Sequence, residues 1–344
     1  QSGNPTVFNT KQVDFDGTDD FMSLGSQSAT STFTYSMWIN SDGVGSSTIL
    51  RYGQTLIRLQ SVTVLNVWSD ISQSSTDVTI NDVTDIWSHI VVAQTGTTLN
   101  VYQDGLLKAT SGSAASVNTS ANDSTIGKYN SLWFFNGQMS QIGVWNEVLT
   151  ADEVSSLYNH GLPIDLTTNQ AAYESSSNLV GYWRMGSGTL DTYPLIADQT
   201  NATLGSELVT NGDFATDLTG WTGQAGRGSY VWDNGKAKII NDDASSYPNL
   251  SQSITTVVGK VYKITATVEI GTATLTEVRA YSNSNIGSQQ LTTDGTIEFY
   301  ITADDTDFTL HLYLFETGNT GHYCYFDNVS VKQVNGNPAI MTNQ

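Results

Sequence analysis

From Val13 to about Val144 the chain alternates apolar and polar residues in short runs broken by turn residues, the pattern of antiparallel strands with one buried face. Phe33, Tyr35, Met37 and Ile39 alternate with Thr34, Ser36, Trp38 and Asn40. Leu99, Val101 and Tyr102 run into Gln103-Asp104-Gly105, an Asp-Gly hairpin signal, and Leu106 and Leu107 start the return strand. The period changes once. Met139, Ile142, Val144 and Trp145 crowd a short run that reads as a largely buried strand. Beyond it Thr150 and Glu153 form a capping box, and Val154, Leu157 and Tyr158 recur at helical spacing. Only 150–159 predicts a helix.

A second β-rich unit begins near Glu207. It carries two strands around the tight turn Asn234-Gly235, then LSQSITTVVGKVYKITATVEI from Leu250 to Ile270, and closes on YFDNVSVKQV at Tyr325 to Val334. Between the units, 171–204 contains LVGYWRMGSG, read either as a strand returning along an edge of the first sandwich or as a linker. The segment beyond Val334 has turn residues and no periodicity, which predicts a connector. The expected fold is all-β: two tandem antiparallel β-sandwich (jelly-roll) domains, one short helix closing the first. The expected division is 1–170, then 171–204 packing on the first domain, 205–334, and a tail or connector at 335–344.

Composition narrows the function. Lys plus Arg is 13 and Asp plus Glu is 33, a net charge of −20. Such a surface repels phosphate backbones, which excludes nucleic acid as an expected partner, and it offers oxygen ligands to hard cations. No run approaches the ~20 apolar residues of a membrane helix, so membrane insertion is not expected. The single cysteine, Cys324, rules out an intrachain disulfide and points to synthesis in a reducing cytosol. Beginning at Gln1 without a signal-like segment, the chain reads as trimmed or cut from something longer.

Catalytic patterns are missing where this architecture would place them. No strand-like run carries the alternating carboxylates that flank a glycosidic bond, and no G-x-S-x-G elbow supports a serine triad. His89, His160, His311 and His322 have no zinc spacing, and His89 in WSHIVVA reads as structural. The expectation is that the chain is not an enzyme. Sugar binding needs aromatic faces plus amides and hydroxyls. Alternation in TDFTLHLYLFE puts Phe308, Leu310, Leu312 and Leu314 on one face and His311, Tyr313 and Phe315 on the other. Trp232, Tyr247 and Tyr281 extend this candidate glycan platform, with Trp221 more readily part of the packing. Ordinary sheet surface or a subunit interface are the alternatives.

The motifs FDGTDDFMSLG (Phe15 to Gly25), FTYSMWI (Phe33 to Ile39), WSHIVVAQTGTTLNVYQDG (Trp87 to Gly105) and the strand, WN, short helix ending LY resemble a laminin-G/concanavalin-A-like lectin domain. NGDF, GKVYKITATV and FDNVSV resemble carbohydrate-binding modules of families 4 and 9, over about 130 residues. The second resemblance implies a structural calcium joining first and last strands, with Asp213 in NGDF and Asp327 in FDNV as ligands; local turn capping is the alternative. Asp19 and Asp20 are a further cation candidate. The pairing is similar to surface proteins of tailed (marine) bacteriophages and to bacterial adhesins. It implies a non-catalytic fibre, spike or head-decoration protein at a virion surface or outside the cell. Such a protein would bind cell-surface glycans or polysaccharide weakly and multivalently, oligomeric in its assembly among other virion subunits. The alternatives are a purely architectural virion protein and the accessory region of a larger secreted glycanase.

Overall fold

The computed structural model describes residues 11–43, 45–69, 72–114 and 120–342. Residues 1–10 of the expected first domain and 343–344 of the expected tail lie outside them. Two units partition the chain, Gln1–Thr203 with Gly336–Gln344, and Leu204–Asn335.

The first unit is a sandwich of a seven-stranded and an eight-stranded sheet. The seven-stranded sheet runs Val13–Asp16, Asn136–Trp145, Thr32–Ser41, Ser88–Thr95, Thr98–Gln103 and Leu106–Ser111 in spatial order, with Leu179–Trp183 also on Asn136–Trp145. Phe33, Tyr35, Met37 and Ile39 face the inter-sheet core beside Ile90 and Val92, as their alternation predicts. Thr34, Ser36 and Trp38 on the other side of that strand are buried as well, because a second apolar layer covers the outer face. Helix Ala151–Tyr158, capped by the Thr150–Glu153 box, lays Val154 and Leu157 against Val91, Tyr102, Trp145, Tyr173 and Tyr182. Tyr158 stacks over Trp38 at 5.8 Å and Trp38 over His89 at 4.9 Å. Each large apolar side chain so buried contributes roughly 1.5–3 kcal/mol.

His89 is structural. Its Nε2 lies 2.8 Å from Ser36 Oγ, and complete burial pushes its pKa down to about 3. The Asp104-Gly105 turn takes positive φ at both residues (53° and 76°), the geometry an Asp-Gly hairpin requires.

Two segments between and beyond the units belong to the first. Leu179–Trp183 pairs antiparallel with Asn136–Trp145, and Trp183 Nε1 donates to Asn337 O at 2.9 Å. The 335–344 segment, expected as tail or connector, instead carries strand Ala339–Thr342, which pairs with Phe21–Ser28 and Leu195–Ile196 in the eight-stranded sheet. Buried Asp198 clasps this return, accepting from Tyr182 N at 3.0 Å and Asn337 N at 3.0 Å. Four residues are too few to show a period, and the partner strands are remote in sequence.

The second unit sandwiches a six-stranded sheet, in which Tyr323–Val334 pairs with Lys236–Asn241, Val261–Glu269 and Leu204–Glu207, against a five-stranded one. The latter runs Thr222–Gly223, Asn249–Thr255, Asp307–Leu314, Thr276–Ser282 and Asn285–Leu291. Phe308, Leu310, Leu312 and Leu314 face the core between them, with Ile264, Val278, Phe326 and Cys324. Among the described residues no helix is long and apolar enough to cross a membrane.

Candidate functional site

With Leu310, Leu312 and Leu314 committed to the core, alternation sends Thr309, His311, Tyr313 and Phe315 to the opposite face of the five-stranded sheet, where all are half-buried. Register then selects their neighbours. Tyr313 pairs with Asn249 on one side and Glu277 on the other, His311 with Ser251 and Arg279, and Thr309 with Ser253 and Tyr281. Directly paired residues share a face, so three strands build a patch of nine polar and aromatic positions.

Within it the rings form a continuous cluster. His311 stacks on Tyr313 at 5.3 Å, Tyr281 meets His311 edge-on at 5.4 Å, Tyr313 meets Phe315 edge-on at 5.8 Å, and Tyr247 stacks on Phe315 at 4.5 Å. Arg279 lies 5.1–5.6 Å from the rings of Tyr281, Tyr313 and Phe315. Its guanidinium is saturated on one side: Nε donates to Glu277 Oε1 at 2.9 Å, Nη2 to Oε2 at 2.5 Å, and Nη1 to Tyr281 OH at 2.6 Å. Glu277 is only 1% exposed, so the fork neutralises a buried carboxylate and the patch presents no net charge from the pair.

His311 is held beside Asn249, Nδ1 to Oδ1 at 3.1 Å, while Asn249 Nδ2 donates to Gln224 Oε1 at 2.6 Å. Burial, with the Arg279 charge in addition, pushes the His311 pKa down, which keeps the imidazole neutral at pH 7. The arrangement therefore offers ring faces, amides, hydroxyls and a neutral imidazole.

Of the six residues expected as a platform, Tyr247, Tyr281, His311, Tyr313 and Phe315 are brought together here. Trp232 is not. It stands on Gly228–Asp233 in the six-stranded sheet, opposite buried Ala237, and its Nε1 donates to Phe214 O at 2.6 Å, leaving it 41% exposed. Nothing local to its sequence says which sheet its strand joins. Trp221 is in the core against Phe214. Glu277, Arg279 and Asn249 were missed, although TEVRAY spaces an acid, a base and an aromatic at every second position of a strand in a chain with few charges.

For a cation, Asp213 is exposed, and Asp327 Oδ1 accepts from Asn328 N at 2.7 Å. Among the described residues no third His, Cys or acidic side chain joins them. The acids that do come together are Asp16, Asp19 and Asp20, with ligand atoms within 4.8 Å of one another, and this group can hold a metal ion. Burial raises the Asp20 pKa, while backbone bonds, that from Thr18 foremost, lower that of Asp16. The expected pair Asp19 and Asp20 thus gains a third carboxylate from the same turn.

Residues 16–155 match the family model of the concanavalin A-like lectin/glucanases superfamily. Among curated proteins none matches. Of solved structures, a putative carbohydrate binding protein from Bacteroides ovatus is similar at 21% identity and TM-score 0.42, over 56% of this chain and 56% of that one. The SAP-like pentraxin of Limulus polyphemus is similar at 17% identity and TM-score 0.38, over 44% and 84%. A CBM4 structure is similar at 21% identity and TM-score 0.31, over 36% and 98%.

Proposed function

We propose that this chain is a non-catalytic glycan-binding protein whose site is the outer face of the five-stranded sheet in the second sandwich. The observation that carries this reading is the ring cluster of Tyr247, Tyr281, His311, Tyr313 and Phe315 beside the Asn249 and Gln224 amides, with its one cation already paired. Ring faces stack against the C–H surface of a pyranose, and the amides and hydroxyls exchange hydrogen bonds with its OH groups. Because Glu277 cancels Arg279, the preferred ligand is an uncharged sugar. Glycoside hydrolysis would need two carboxyl groups flanking the bond. Glu277 is buried and held by a guanidinium, which supports binding without bond cleavage.

The lectin-like match over residues 16–155 and the acidic, cysteine-poor composition fit display on a virion surface, where many weak copies gain avidity through effective concentration. Titration of the full chain with neutral oligosaccharides, followed by calorimetry, tests the site. Tyr313→Ala and Tyr281→Ala should each weaken binding more than tenfold, and Trp232→Ala should leave it unchanged. Binding undiminished by both tyrosine substitutions overturns the assignment. Imaging of purified particles carrying the protein tests the placement.

A further inference from the structure

The outer face of the eight-stranded sheet in the first sandwich carries a second constellation that the glycan platform does not use. Ile57 and Leu59 face the core, so Arg58 between them faces out, and by the same alternation so do Arg51 and Phe21. Over this face folds the loop 127–135, pinned by backbone bonds from Thr48 N to Trp133 O at 2.7 Å, Gly127 N to Ile49 O at 3.1 Å and Phe135 N to Gly127 O at 2.8 Å. The loop supplies Lys128, Tyr129 and Trp133.

The result is a stacked ring pair with an arginine over each ring. Arg51 lies 5.0 Å over the Tyr129 ring, Tyr129 lies parallel to Trp133 at 5.5 Å and 16°, and Arg58 lies 4.3 Å over the Trp133 ring. Lys128 lies 3.1 Å over Phe21. Tyr129 and Trp133 give ring face to each other and to the guanidinium groups, which fixes the position of those cations. Trp133 holds a left-handed backbone (φ 53°), a strained conformation for a bulky residue, and remains 37% exposed beside Leu132 at 59%.

Arg58 donates through Nε to Asn66 Oδ1 at 2.9 Å, and the carboxylate next along that row, Asp77, is taken by Asn66 Nδ2 at 2.5 Å. Among the described residues no carboxylate lies within ion-pair distance of Arg58 or Lys128. Arg58 and Lys128 thus stand together in a molecule of net charge −20.

We propose that this stack is a second binding site, for a carboxylate-bearing polysaccharide of the polyuronate class. Arg58 and Lys128, each held against a ring, suit a ligand with anionic groups in succession, and a guanidinium fork suits carboxylate. A denser polyanion, sulfated or phosphorylated, would be repelled more strongly by the surrounding acidic surface. The site lies in a different sandwich from the neutral-sugar platform and stands independently of it.

Affinity electrophoresis of the full chain through gels containing polygalacturonate, its methyl ester or oligothymidylate tests this. Retardation is expected from polygalacturonate alone, falling as NaCl rises. Arg58→Gln with Lys128→Gln should weaken it about tenfold, since each loses a charge-assisted contact. Lys128→Gln alone should give a smaller loss without disturbing the stack, and Tyr313→Ala should give none. Equal retardation by the ester, stronger retardation by oligothymidylate, no retardation by polygalacturonate, or wild-type behaviour of a double variant whose melting is unchanged would each overturn the proposal.

Discussion

Each sandwich places an arginine among aromatic rings on the outer face of one sheet, and the two arginines have opposite consequences. Arg279 shares its strand with Glu277, two residues away on the same face, and donates two bonds to that buried carboxylate. Arg58 has an amide, Asn66, as its hydrogen-bond partner and a tryptophan as its stacking partner. The rings do similar work in both places, yet one cation is paired with a carboxylate and the other has none within ion-pair distance among the described residues. Under the two proposals, what separates the ligand classes is the pairing of the cation, more than the number of aromatic residues.

The largest expected effect separates the two sandwiches by pH. Both His89 and His311 have pKa values below 6.5 in the folded chain, so the unfolded chain takes up the proton first and stability falls as pH drops below 6.5. For His89 the loss continues down to about pH 3 and is on the order of 4 kcal/mol. Urea unfolding against pH should show the first sandwich losing more than the second, and His89→Asn should remove most of that difference. Equal slopes would break the comparison.

Glu277→Ala should come next. It leaves Arg279 partly buried and unpaired, at a loss of about 3 kcal/mol in the stability of the second sandwich. It should also turn the platform cationic and give it affinity for polygalacturonate, which affinity electrophoresis would read. If the platform stays blind to that polymer, ion pairing is not what sets ligand charge. Tyr313→Ala should lower neutral-sugar affinity by about 2 kcal/mol, as loss of a central aromatic anchor does, measurable by calorimetry. Smallest is Glu269→Ala, which removes the partly exposed ion pair with Lys236 in the same sandwich. Hardly any change in chemical denaturation is expected, because water screens the pair. A loss matching that of Glu277→Ala would show that burial is not what distinguishes the two pairs.

Much of the architecture is legible locally. The Thr150–Glu153 capping box marks the helix start because side chain and backbone partners lie three residues apart. Asn234-Gly235 forms its turn with φ of 51° and 82° because few residues tolerate that geometry. Leu310, Leu312 and Leu314 select the exposed face of their strand because a period of two admits only two sides. Strand Ala339–Thr342 was hidden, since a four-residue strand is defined by its partners and not by its own pattern. Trp232 was assigned to the wrong surface because exposure of a ring carries no information about which sheet its strand joins.

Sequence alone determined that this is an acidic, all-β chain with one short helix, and which side chains of a strand such as Asp307–Leu314 point away from the core. Those properties follow from charge count and from spacing within a few residues. Only the tertiary structure decided that Tyr313 sits between Asn249 and Glu277, that Arg58 stacks on Trp133 across two elements, and that the last strand completes the first sandwich. The reason is physical. Strand register and sheet membership are set by hydrogen bonds and packing between segments far apart in the chain, and a binding face exists only where those pairings bring its members together.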